Sequence, residues 1–105
     1  MDYATAKPLV IKALNSEDPL VRTNAFKVVG ENTDRDMTAP VTEAIGRETD
    51  RYAKSQARWA LGQIGDSETI PFLVGLLADE PEEVRHSSAE ALVMISDRLL
   101  QKSDK

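Results

Sequence analysis

Proline recurs in this sequence at Pro8, Pro40 and Pro71, 32 and then 31 residues apart, and one pattern follows each of them. Thirteen residues on stand Val21-Arg22, Ala53-Lys54 and Val84-Arg85, an apolar residue and then a cation every time. Four and seven residues further come Ala25 and Val28, Ala57 and Ala60, and Ser88 and Ala91, followed by Val29, Leu61 and Leu92. With proline at about 5% of an average chain, two more falling into register by chance is roughly a one-in-four-hundred event. A unit of this length cannot bury an apolar face alone. Three of them in tandem call for a stacked array in which each unit covers its neighbour.

Two amphipathic stretches are legible in each unit. Leu9, Val10, Ala13 and Leu14 lie at i, i+1, i+4 and i+5, and Phe72, Leu73, Leu76 and Leu77 repeat that spacing, which places an apolar stripe on one side of a helix. Ser16-Glu17-Asp18-Pro19 and Asp79-Glu80-Pro81-Glu82-Glu83 then supply capping side chains, a proline suited to the first helical turn, and negative charge for the positive end of the helix dipole. The second stripe runs through Val21, Ala25, Val28 and Val29, through Ala53, Ala57, Ala60, Leu61 and Ile64, and through Val84, Ser88, Ala91, Leu92 and Ile95. Gly30 and Gly62-Gln63-Ile64-Gly65-Asp66 end or punctuate these helices. The reading is all-α: an α-solenoid of three stacked helical hairpins in one domain over 1–105, with repeats near 3–32, 36–65 and 67–100. Its six helices are expected near 3–15, 19–30, 36–47, 50–64, 68–78 and 82–100. The middle unit departs from the pattern, with Thr42, Glu43 and Gly46 where the third has Leu73, Val74 and Leu77, so Met37, Val41, Ala44 and Ile45 are expected to supply a shifted apolar face.

The stretch Ala60-Leu61-Gly62-Gln63-Ile64-Gly65-Asp66, followed by Ile70-Pro71-Phe72-Leu73 and by Val84-Arg85, resembles the HEAT-like repeat, in the short form known from phycobilisome bilin lyases. The likeness runs from about Pro8 to the last helix. It implies a solenoid whose second helices line a concave surface. It also implies pairs between an acid closing each first helix and a cation early in the second, which Glu48 with Lys54 and Asp79 with Arg85 match. In the first unit Ser16 stands opposite Arg22, so that rung is missing or is taken over by Glu17 or Asp18. The family holds scaffolds, adaptors, bilin lyases, an iron-dependent hydroxylase and DNA-repair glycosylases, so the resemblance speaks to fold far more than to activity.

The residues themselves narrow the chemistry. A formal charge of -5 lacks the basic footprint that phosphate neutralisation requires, and no apolar run approaches the ~20 residues of a membrane span. The expected partners therefore include neither nucleic acid nor membrane. Met1-Asp2-Tyr3 begins without the basic and apolar regions of a signal peptide, so the expected location is cytoplasmic. The absence of cysteine removes disulfides, thiolate metal sites and cysteine nucleophiles. His86 is the only histidine, which removes two-histidine metal sites, and its neighbours Ser87 and Ser88 point in other directions on a helix. Carboxylate pairs such as Glu82-Glu83 and Asp34/Asp36 fall where caps and solvated loops call for negative charge. The chain is read as non-enzymatic and without a cofactor.

Two residues break the repeat. Trp59 occupies the position of Lys27 and Glu90, and Arg58 that of Phe26 and Ala89. On the concave surface that the resemblance implies, Trp59 stands centrally among Asn24, Lys27, Ser55, Gln56, Gln63, His86 and Glu90. An aromatic ringed by polar groups is how protein-binding hot spots are built. The competing reading folds Trp59 back over the thin middle unit. Arg58 either lies along the groove with its stem packed and its guanidinium in solvent, or bridges to Asp50 or Glu48 within the protein. The expected function is a protein-binding adaptor or scaffold. The alternative is an accessory or subunit of a bilin-lyase-type enzyme that grips a tetrapyrrole or its carrier protein. Leu9, Val10 and Ile11 at a first helix with no dedicated capping unit before it point either to a homodimer through an open solenoid end or to a piece of a larger array.

Overall fold

Aspartate stands at the start of five helical segments at strictly even spacing: Asp2, Asp18, Asp34, Asp50 and Asp66. Each carboxylate accepts a backbone N–H of the turn it begins, from Thr5 (2.8 Å), Leu20 (2.9 Å), Asp36 (3.2 Å), Ala53 (3.0 Å) and Glu68 (3.0 Å) respectively. A negative charge here satisfies a donor that the helix leaves open and meets the positive end of its dipole. The sixteen-residue interval is half the proline period, so each cap opens one arm of a hairpin.

In the computed structural model, which describes residues 2–79 and 81–103, these five starts lead into the first five of six α-helices. They are α1 (Tyr3–Leu14), α2 (Pro19–Glu31), α3 (Thr38–Arg47), α4 (Arg51–Ile64), α5 (Ile70–Asp79) and α6 (Glu82–Ser103). Short 3-10 turns, Arg35–Met37 and Ser67–Thr69, lead into α3 and α5. The expected boundaries hold to within a few residues. The exceptions have local causes: the Asp34 cap opens a 3-10 turn before α3, and α6 runs on to Ser103.

Each first helix packs on its second helix, and the second helices pack on one another, with α4 between α2 and α6. Small residues make this approach close. Ala53, Ala57, Ala60 and Gly62 of α4 are all buried. A methyl group at Gly62 would stand 2.9 Å from the Ala91 Cα of α6. The fully buried large side chains, among them Phe26, Leu61, Ile64, Leu73 and Ile95, join in one core through all three hairpins. In the middle hairpin Met37, Val41, Ala44 and Ile45 are buried while Glu43 and Gly46 are exposed, which is the shifted face. The molecule measures 38 × 34 × 16 Å.

Candidate functional site

The outward side of the second-helix layer is built from positions seven residues apart, two helical turns, which share a face. On α2 these are Leu20 and Lys27; on α4, Tyr52 and Trp59. Leu20 is 72% exposed and Tyr52 77% exposed. Trp59 is half-buried: its ring lies on Gly30 of α2, where a methyl group would overlap Cζ3 and stand 2.9 Å from Cε3. The indole thus bridges α4 to α2 and also packs against the core. Lys27 is exposed, and Ser55, Gln56 and Gln63 are half-buried along α4. On α6, His86 and Glu90 are exposed and pair at 2.9 Å. Asn24 stands off to one side, where it joins a shallow apolar groove formed by Ala6, Leu9, Val10, Ala13, Val21, Ala25 and Val28.

Leu20 and Tyr52 are absent from the sequence-based set, although each sits two turns before a residue in it. The heptad offset from Lys27 and Trp59 was the available signal.

Arg58 requires a correction. Of its two expected postures, the one with the guanidinium in the groove is overturned, because Arg58 is only 1% exposed; a place inside the protein, in the field of Glu48, is the one it takes. Its position is that of Phe26, which faces the next hairpin, so Arg58 is carried into the packed core where its repeat counterpart is an aromatic ring. Nη1 donates to the Lys54 carbonyl at 2.8 Å. Burial pushes its guanidinium down, to about 10, against the field of Glu48, and it remains a cation at neutral pH. A partner on the surface cannot reach it.

The acid–cation pairing also differs from expectation. Glu48, with a side chain 1% exposed, is held by Arg22 of the preceding hairpin and not by Lys54. Arg22 Nε donates to Glu48 Oε1 at 2.7 Å and Nη2 donates to Oε2 at 2.8 Å, the bidentate geometry of guanidinium and carboxylate. Nη1 donates to the carbonyls of Ser16 (2.8 Å) and Glu17 (3.1 Å), so those residues serve through backbone oxygen. Glu48 Oε2 also accepts from the backbone N–H of Thr49 (3.0 Å) and Asp50 (3.1 Å). Burial opposes its ionisation, but the Arg22 guanidinium and these N–H groups outweigh it and hold the carboxyl below the usual range. The expected partner of Arg85, the Asp79 side chain, lies outside the described residues.

A similar clamp fixes the chain's start. Tyr3 donates to Asp34 Oδ2 at 2.7 Å and Lys7 Nζ lies 2.8 Å from the same oxygen, tying α1 to the α2–α3 loop. Burial opposes the Asp34 charge, and the Lys7 and Tyr3 hydrogen bonds more than offset it, so its carboxyl is also held low.

Among the described residues no acid–base or nucleophilic constellation is assembled on this face. His86 is exposed, whereas Ser88 is buried with its Oγ outside any hydrogen bond. Among the described residues no three His, Asp or Glu side chains converge as a metal would require. No described helix is long and apolar enough to cross a membrane. The described residues of this face include exposed Leu20 and Tyr52, half-buried Trp59, exposed Lys27 and the His86–Glu90 pair.

The family described as HEAT repeats matches residues 1–62 and again residues 38–102. Each match spans two hairpins, and the two share the middle one. The likeness is to HEAT repeats as a class and carries nothing of a bilin lyase. No curated protein matches the chain.

Proposed function

The chain belongs to the HEAT repeat family, whose members are generally protein-interaction modules, and from that premise we propose that it is a non-enzymatic adaptor that holds a partner protein on its second-helix face. The observation that carries the reading is the pair Tyr52 and Trp59 on the central helix with Leu20 beside them. Two of these large apolar side chains stand more than 70% exposed, on a surface otherwise polar. Aromatic residues in such a setting supply much contact area for little lost side-chain freedom, and they concentrate binding energy. Packing supports taking this face as the concave one. The second helices lie against one another along their length, whereas α1 and α3 touch at few residues, so the first-helix layer is splayed and the array bends toward the second helices. Lys27, Ser55, Gln56, Gln63, His86 and Glu90 then form the polar rim, and Asn24 belongs to its edge. A second contact, between copies of the chain, is supported by the apolar groove at the open end.

Affinity capture of partners with the purified chain, compared between wild type and Tyr52→Ala and Trp59→Ala, tests the adaptor reading. Each variant is expected to weaken partner binding by ~2 kcal/mol or more. Trp59 emission is expected to shift to the blue as partner covers the indole. Undiminished binding by both variants would place the interface elsewhere.

A further inference from the structure

The two ends of the array expose the positions that the interior covers. At the first end, Leu9 is 61% exposed where its counterpart Val41 is 0% exposed. Val21 and Val28 stand where Ala53, Val84, Ala60 and Ala91 are buried. The groove between α1 and α2 holds one polar side chain, Asn24, among seven apolar ones. At the other end, α6 exposes Ala89 and Val93 beside the His86–Glu90 pair.

We infer that the first end is covered by the first end of a second copy, in a two-fold dimer of the α1–α2 faces. This rests on the self-association proposed above and names its geometry. Three pairings of ends are available, and two are closed. A head-to-tail stack repeating the internal packing would seat the next hairpin on α6 at Val93, the position of Gly30 and Gly62. At Gly62 even one methyl group would come to 2.9 Å from the neighbouring helix backbone, and at Gly30 it would overlap Trp59. Valine places a Cβ and two methyl groups in that space, so α6 cannot take another hairpin as α2 takes α4. A pairing of two α6 ends meets charge instead. Residues 67–105 hold four cations against eight carboxylates, so two such ends repel. Residues 1–32 hold four cations and four carboxylates. Joining copies at α1–α2 brings neutral units together and sets the acidic units at opposite extremes.

The face is small. With 12 residues in α1 and 13 in α2, it spans roughly 20 by 20 Å at about 1.5 Å per residue and about 10 Å per helix. That is about half of the ~800 Å² per partner of an ordinary stable complex, so the dimer is expected to be weak, with a Kd on the order of 100 μM.

Sedimentation equilibrium of the full chain up to about 1 mM tests the inference, with Leu9→Lys at one end and Val93→Lys at the other; both sites are exposed, and far-UV circular dichroism checks that each variant folds. The expected result is a monomer–dimer equilibrium that stops at the dimer, is weakened at least about tenfold by Leu9→Lys, and is unchanged by Val93→Lys. A dimer insensitive to Leu9→Lys, or one weakened by Val93→Lys, would overturn the geometry while leaving self-association standing. Species larger than dimers would do the same by demanding a head-to-tail contact. A monomer at every concentration would overturn self-association itself and leave the second-helix adaptor reading untouched.

Discussion

At Gly30 the hydrogen in place of a side chain decides where Trp59 can lie. The residue is helical with no positive φ, so its role is space and not backbone freedom. The indole covers it and is left half-buried. Gly30→Ala is expected to push the ring off its seat, with a red shift of tryptophan emission and a loss of about 1–3 kcal/mol in denaturant unfolding, the range for overpacking a fitted contact. Trp59 was legible as an anomaly because lysine and glutamate occupy its counterparts. Its actual posture was not, because the partner surface is a glycine 29 residues earlier that no helical pattern links to it. Arg58 shows the same limit in reverse: the charge suggested the surface, while the repeat position, shared with Phe26, dictated the core.

Between elements, Arg22 and Glu48 join the first two hairpins. The pair closes a loop and an interface together, since Glu48 also caps the N–H groups that lead into α4. Glu48→Gln keeps the shape and removes the charge; it is expected to cost about 2–4 kcal/mol, because Arg22 loses its counter-ion in a partly buried site. The pH dependence follows from Glu48 and Asp34, whose folded carboxyls titrate below their unfolded values. Their contribution is present in full well above pH 4.5 and is lost as pH falls through the lower folded values. Urea midpoints measured from pH 7 down to pH 3 are expected to fall most steeply below about pH 4.5, less so in Glu48→Gln. The hairpin containing α3 was readable as the odd one, and its apolar face shifted to Met37, Val41, Ala44 and Ile45 as the residues allowed. The even spacing of Asp2, Asp18, Asp34, Asp50 and Asp66 is a finer signal for the helix starts than the prolines, and it lies in the sequence in plain view.

For the whole molecule, a continuous core through three hairpins implies that no hairpin is stable alone. Ile95→Ala, at a fully buried site on α6, is expected to cost ~2–5 kcal/mol and to lower the unfolding midpoint of the array as one transition, followed by circular dichroism and Trp59 fluorescence together. Leu77 and Leu92, which the repeat register also places inward, are half-buried, with Leu92 packed against the core. Register, helix count and fold class were set by the sequence itself, through proline spacing, aspartate caps and the 3.6-residue apolar stripe, all of which act over a few neighbouring residues. The pairing of Arg22 with Glu48, the burial of Arg58 and the seating of Trp59 on Gly30 were decided by tertiary structure. Each joins residues at least 26 apart or turns on which side of a helix meets the next hairpin, and inter-helix distance is a quantity that local periodicity does not carry.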